Sequence, residues 1–503
     1  MSASREKIRR RELASSPEAA QPAKKGMSKG LKTFLTVVCV LLVVCVIAFF
    51  TLLTSGFFAT HSTAAVASGH KLSPVMVNYF YRNSYQNMAN QYGDYLQYFL
   101  DTNTPLTQQY YDEENGVTWA DYLLDQGLDE AASLYAVYNK AVDEGYTLTE
   151  DDKAQIESEL SYLDLTAVYQ GFSNADSYLA GVFGPGCSKK TYRTYLEQST
   201  LATSYSNSIA DSLVYTAEEI ENAYNADRNS YDSVSYRVFT VNDNNFGTVD
   251  DVKDLAKMKE DMASEMAEQS KNDEDAFILL AAQNAPEDQK ETYLDDSATL
   301  RSNISYSSVP TAIVEWLFDD ARTEGETTYL ATSEGAESYY VLYFISRSDN
   351  NYQLPNVRHI LITVASDADE ETDAAAKQKA EDLLNEYLSG EQTAEAFAAL
   401  AEANTEDTGS AQNGGLYENV TPGAMVTEFN DWCFDETRQP GDTGIVKTSY
   451  GYHVMYFDGY GDVYRDTLVR NALKSADYQA WLNEATQDAS LEKKPFGMRF
   501  VSK

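Results

Sequence analysis

The chain has 503 residues, with 78 Asp and Glu against 38 Lys and Arg, a formal charge of −40 at pH 7. That charge argues against a nucleic-acid partner, since phosphate binding needs a basic surface, and its plain reading is a solvated surface. The length leaves room for more than one hydrophobic core, and 43% apolar with 23% charged residues is an ordinary folded composition.

Residues 1–33 form a basic, polar tail that includes Arg9, Arg10, Arg11, Lys24, Lys25, Lys29 and Lys32. Residues 34–58 carry no charge and are dominated by Val, Leu, Ile and Phe. A run of about twenty or more such residues spans a bilayer as one helix. The basic flank places its N-terminus in the cytoplasm and all later residues outside, as a single-pass protein of the cell membrane. A cleavable signal stays open beside this reading, because Ala65-Val66-Ala67 has the form of a cleavage site. Neither Cys39 nor Cys45 follows the small residue that lipidation needs. With Cys187 and Cys433 they make no disulfide framework and no C-x-x-C pattern.

Residues 59–71 read as a small-residue linker. Residues 72–232 read as helical. Ser73-Pro74 is a helix start signal, and Trp119 to Val142 carries Tyr122, Leu123, Leu134, Tyr135 and Tyr138 among its apolar positions. Thr149 caps a further helix with Ile156, Leu160 and Leu163 on one face, and Thr216-Ala217-Glu218-Glu219 is a capping box.

Residues 233–350 open on Ser235 to Val241, an alternating strand, and close on Tyr339 to Phe344, another. Between them stands Trp316-Leu317-Phe318-Asp319-Asp320-Ala321-Arg322. Residues 354–460 repeat this plan. Val357 to Ile362 is a strand, an alanine-rich helix runs from Ala374 to Leu388 before Gly390, and a second helix spans Ala394 to Ala401. Then come Asp407-Thr408-Gly409-Ser410-Ala411, the pair Gly414-Gly415, a third helical segment with Met425 and Phe429, and the turn Pro440-Gly441-Asp442. Tyr450 to Phe457 is the closing strand. Trp432-Cys433-Phe434-Asp435-Glu436-Thr437-Arg438 echoes the earlier Trp316 segment in order and spacing. A helix over 463–485 and a short strand from Phe496 to Val501 end the chain.

Residues 354–460 resemble a parvulin-type peptidyl-prolyl cis/trans isomerase domain. The resemblance lies in Arg358-His359-Ile360-Leu361, the Asp407 loop, Gly414-Gly415, Met425 and Phe429 four apart, Pro440-Gly441-Asp442 and Gly451-Tyr452-His453. The whole chain resembles membrane-bound extracytoplasmic foldases, the PrsA and SurA kind. The fold implied is α+β: an N-terminal transmembrane helix, a helical chaperone-like domain over 72–232 and two parvulin-like α+β domains. The first of these, 233–350, is degenerate, since Val238 stands in place of His359, Tyr340 of His453 and Ile313 of Phe429. The segment 461–503 is expected to pack back on the N-terminal domain.

The resemblance implies His359, Asp407 and His453 as catalytic residues, with Thr408 the alternative to Asp407. It implies Tyr417, Met425, Phe429 and Tyr450 as substrate-binding residues. For Met425 and Phe429 an ordinary core role stays open, as does structural support for the two histidines and a turn role for Asp407. The motif Gly414-Gly415-Leu416-Tyr417-Glu418 departs from the family's G-G-D-L-G, so Tyr417 takes the place of a pocket leucine. No metal and no cofactor is implied. The implied partners are unfolded secreted polypeptides with X-Pro bonds and the membrane, and a homodimer is admitted. The expected function is isomerase and foldase, with a non-catalytic holdase as the alternative.

Overall fold

The computed structural model describes residues 29–54, 56–246 and 252–503. The tail 1–28 lies outside them. The first helix, α1, spans Lys29–Thr54. Among the described residues no helix is long and apolar enough to cross a membrane. The helix ends at Thr54 and does not continue through Phe58. Gly56 turns the chain at φ +73, a short helix α2 follows at Phe57–His61, and Phe58 stacks on Phe500.

The chain divides into two compact units, 1–212 with 480–503, and 213–479. In the first, the expected linker 59–71 is instead part of a small sheet. Strand β1, Ala65–Ala67, pairs with β2, His70–Leu72. Ala64, Ala65 and Ala67 are fully buried, which explains the small residues: they are packed, not flexible. Helix α3, Pro74–Tyr92, is capped by Ser73, whose side chain accepts from the Met76 N–H. A hairpin of β3, Tyr110–Asp112, and β4, Val117–Thr118, leads to α4, Trp119–Asp143, which starts on a Thr118/Asp121 capping box. Val77, Phe80 and Tyr81 of α3 bury against Leu123, Leu128 and Tyr135 of α4. Helices α5, Glu150–Tyr169, α6, Ala175–Phe183, and α7, Lys189–Ser212, complete the helical set.

The second unit begins with α8, Ala217–Ala226, and holds two four-stranded sheets. The first contains β5, Ser233–Val241; β6, Leu300–Ser305; β7, Thr327–Ala331; and β8, Tyr339–Ser348. Between its strands lie α9, Val252–Gln269, α10, Glu274–Asn284, and α11, Thr311–Leu317. The second contains β9, Gln353–Thr363; β10, Leu416–Tyr417; β11, Thr443–Thr448; and β12, Gly451–Val463. Its helices are α12, Glu370–Ser389, α13, Ala394–Asn404, and α14, Thr427–Cys433. The strand orders are β6-β5-β8-β7 and β10-β9-β12-β11, the same arrangement twice.

The register repeats too. Val238 pairs with Leu342 as His359 pairs with Met455, and Thr240 pairs with Tyr340 as Leu361 pairs with His453. Arg322 lies 4.2 Å over the Trp316 ring, and Arg438 lies 4.5 Å over Trp432. Each arginine also donates its Nε–H to the carbonyl of that tryptophan.

Helix α15, Tyr464–Thr486, belongs to the second unit as far as Gln479 and to the first from Ala480. The expected final strand at Phe496 to Val501 is not one. The strand is β13, Leu491–Lys493, added antiparallel to β1, and Pro495–Met498 is a helical turn, α16. Proline at its N1 position, with no N–H for a ladder, favours that turn.

Candidate active site

Alternation along β9 and β12 sets the site. Ile360, Ile362, Tyr452, Val454 and Tyr456 face α12 and α13. Val357, Met455 and Phe457 face α14, and the intervening His359 and His453 meet Phe429 of α14. Because His359 pairs with Met455 and His453 with Leu361, the two rings are diagonal neighbours rather than opposite. Their Nδ1 atoms lie 3.0 Å apart and the rings are 16° from parallel. Phe429 stands edge-on to both, at 5.4 and 5.3 Å between centroids.

The rings belong to a longer hydrogen-bonded chain. His359 Nε2 lies 2.9 Å from Asp407 Oδ2. The Ser410 and Tyr417 hydroxyls donate to the same oxygen at 2.5 and 2.9 Å, and the Gly409 N–H donates to Oδ1 at 3.0 Å. At the other end His453 Nε2 lies 2.8 Å from Thr448 Oγ1, which accepts the Tyr450 N–H. Burial opposes ionisation of Asp407, but its hydrogen bonds from Ser410, His359, Tyr417 and Gly409 outweigh it and hold the carboxyl below the usual carboxylate range. Burial depresses His359 against the pull of Asp407. Burial and the neighbouring His359 push His453 down to about 4.

These directions fix the protons at neutral pH. Asp407 is ionised and both imidazoles are neutral. The 2.9 Å contact with an ionised Oδ2, which can only accept, puts the His359 proton on Nε2 and leaves Nδ1 bare. The 3.0 Å contact then requires the proton on Nδ1 of His453. His453 Nε2 is bare in turn and accepts from Thr448. Every donor in the chain points toward Asp407, and the site carries one negative charge in a largely buried setting.

The glycine pair is explained by crowding. Gly415 sits at φ +71, where a Cβ would stand 2.3 Å from the His359 carbonyl oxygen. The His359 N–H bonds the Gly415 carbonyl, so the loop lies directly on β9.

Of the expected residues, the structure brings His359, Asp407, His453, Tyr417 and Phe429 together. Asp407, not the exposed Thr408, makes the contact. Met425 lies outside the helix, which begins at Thr427, but packs at the edge of the Phe429 cluster. The four-residue spacing is therefore not one helical face. Phe429 is only 2% exposed, a buried support beneath the histidines. Tyr450 is 61% exposed and meets the network through its backbone alone. Sequence reasoning missed Ser410 and Thr448. Ser410 stands in the quoted Asp407 loop, where the Asx-turn of Asp407 onto the Gly409 N–H brings its hydroxyl to Oδ2. Thr448 gives no signal short of the β11–β12 register, which sets Val446 opposite His453. Among the described residues no group of three or more His, Cys, Asp or Glu is placed to hold a metal.

Residues 340–458 match the PPIC-type PPIase domain. That span begins inside β8, before the sheet that carries the site. Chaperone SurA of Pseudomonas savastanoi pv. phaseolicola is 34% identical over 146 residues, 27% of this chain and 32% of the relative. Foldase protein PrsA of Caldanaerobacter subterraneus subsp. tengcongensis is 31% identical over 147 residues, 28% of this chain and 40% of that one. The chain thus spans about a third of the length of the curated SurA relatives it matches. Among solved structures, the peptidylprolyl isomerase PrsA from Bacillus anthracis is 16% identical, covering 47% of this chain and 94% of that one, with a TM-score of 0.20. Residues 340–458 are thus a parvulin-type peptidyl-prolyl isomerase domain, and over this region the chain is similar to chaperone SurA and foldase protein PrsA.

Proposed function

We propose that the chain is a membrane-anchored peptidyl-prolyl cis/trans isomerase and foldase, acting on secreted polypeptides outside the cytoplasmic membrane. The observation that carries the catalytic part is the Asp407–His359–His453–Thr448 chain. The reaction breaks no bond. Its barrier is the loss of amide resonance, about 18–20 kcal/mol, which makes X–Pro isomerisation take tens to hundreds of seconds. Only interactions stronger with the twisted imide than with the planar one lower that barrier. A carboxylate fixed by four hydrogen bonds needs no reorganisation when a substrate carbonyl loses its conjugation nearby, so it acts electrostatically at little cost. The neutral histidine pair holds that carboxylate in place. Phe429 supports the rings from below, while Met425 and Tyr417, which are only partly buried, provide an apolar wall for a proline ring.

The anchor rests on the uncharged run 34–58 behind its basic flank, and on α1, which covers residues 34–54 of that run. The test of catalysis is a protease-coupled isomerisation assay on the full chain in detergent. Acceleration that is lost in Asp407→Ala supports it, and no acceleration by the folded wild type rejects it.

One observation favours the holdase reading. The Tyr417 hydroxyl, in the place of a leucine, adds a third donor to Asp407 Oδ2 and ties that oxygen inward. Tyr417→Phe removes one hydrogen bond, worth about 1 kcal/mol, and frees it. A rise in kcat/KM of about two- to tenfold is expected if Asp407 acts on substrate. An inactive wild type and an equally inactive variant would leave the holdase.

A further inference from the structure

The helical unit contains a cavity of about 730 Å³ between α3, the β3–β4 hairpin and α4. Its wall is aromatic. Tyr111 stacks on Tyr122 at 3.9 Å, Trp119 stands edge-on to both, and Tyr92 tilts against Phe99. Tyr92, Phe99 and Tyr111 are 40%, 55% and 50% exposed, a large apolar surface left open. Its polar lining is one-sided. Asp129 and Glu130 are there, with Gln91, Gln126 and Asn87, and neither lysine nor arginine lines it.

Glu130 is half-buried. Its carboxylate accepts one hydrogen bond, from Asn83 Nδ2 at 2.9 Å, and has no cationic partner among the described residues. Burial pushes its carboxyl above the usual range, with Asn83 opposing. A carboxylate so placed gains from any cation that enters, while a second anion would be repelled. The aromatic faces make the same selection, because they attract a cation and cover an aliphatic stem. The volume lies within the ~300–1,000 Å³ of ordinary ligand sites, room for one long side chain and an apolar neighbour.

We propose that this cavity is a docking site for a lysine or arginine side chain flanked by an apolar residue on an extended polypeptide. The inference rests on the foldase reading and names what that reading leaves open: the charge of the client segment held by the helical unit. The guanidinium or ammonium meets Glu130 and Asp129, and the stem and neighbouring residue lie along Trp119, Tyr122 and Tyr111.

The test uses the full chain in detergent micelles and short fluorescent peptides that differ at one central position between leucines: arginine, norleucine or glutamate. Anisotropy should show the arginine peptide binding about tenfold more tightly than the norleucine one, with glutamate weakest. The arginine preference should shrink with added salt. Glu130→Gln should remove most of that preference and leave norleucine binding unchanged, and Asp129→Asn should remove part of it. The peptide series on the wild type decides the matter even if a variant fails to fold. Equal binding of the three peptides, or a preference untouched by Glu130→Gln, overturns the inference. If no peptide binds while the chain still suppresses aggregation of a client diluted from denaturant, the inference fails and the foldase reading stands. If suppression and isomerisation are both absent, that reading fails and takes the inference with it.

Discussion

Lowering the pH from neutrality to about 5 should destabilise the site-bearing sheet before Asp407 titrates. His453 is held neutral, with its folded value near 4 against an ordinary value of about 6.5. Above pH 6.5 it is neutral folded and unfolded, and its contribution is complete. Between pH 6.5 and 4 the unfolded chain binds a proton that the folded chain refuses, so stability falls as pH falls. Integrating these two values from about pH 7.5 to pH 5 gives a loss of about 2 kcal/mol from His453. His359 is depressed as well and adds in the same direction. Asp407 adds nothing in this window, since its stabilisation is lost only below the ordinary carboxylate range. Trp432 packs with Phe429 and reports on this core, so a chain with Trp119, Trp316 and Trp481 changed to Phe isolates its fluorescence. Urea midpoints should fall between pH 7.5 and 5, and most of the fall should vanish in His453→Leu. A midpoint that holds or rises, or an equal fall in the leucine variant, would refute the assignment of a neutral, buried His453.

Asp407→Asn keeps the shape but removes the charge and the preference for a donor on His359 Nε2; kcat/KM in the coupled assay should drop on the order of 10²-fold with little change in circular dichroism. Phe429→Ala opens a cavity under both histidines and should cost about 3–5 kcal/mol, so melting temperature and activity should fall together; an unchanged melting temperature would contradict the burial seen here. Protease added to intact cells, or to protoplasts where a wall intervenes, should digest the chain after about residue 59 and spare the basic tail, and a protected C-terminus would reverse the proposed topology.

Much of the local structure was legible because single residues signal it. Ser73, Thr149 and Thr216 each cap the helix that follows them. Both histidines were visible from strand alternation and motif order. What sequence hid was set by distant pairing. Ala64, Ala65 and Ala67 read as part of a small-residue linker, because β13, one of the two strands that pair with β1, lies more than four hundred residues on. Met425 and Phe429 read as one helical face because four-residue spacing is ambiguous when the helix start is uncapped. The structure begins that helix after Met425, with no side-chain cap from Val426. Tyr417 was placed as a pocket wall by motif position, which does not show that its hydroxyl, absent from a leucine, also donates to Asp407.

The two sheets of the second unit form an internal control on where the chemistry resides. They share strand order, ladder register, the arginine stacked on tryptophan and the glycine whose N–H bonds the closing strand, Gly325 to Phe344 and Gly441 to Phe457. Neither the arginine–tryptophan stack nor the glycine contact touches the Asp407 network. They hold α11 and α14 against their sheets. At the positions of the two histidines and Phe429, the first copy has Val238, Tyr340 and Ile313, which pack into one apolar cluster. No imidazole is left to carry a proton chain, and the segment that should supply an acidic loop contains no glycine to let it lie on the strand. The fold persists because an apolar cluster fills the same space that the histidine pair and Phe429 fill in the second copy, without the desolvation penalty of buried polar rings. Polar groups standing where apolar ones pack more cheaply need a reason beyond stability, and the isomerase role proposed for the fixed carboxylate supplies one.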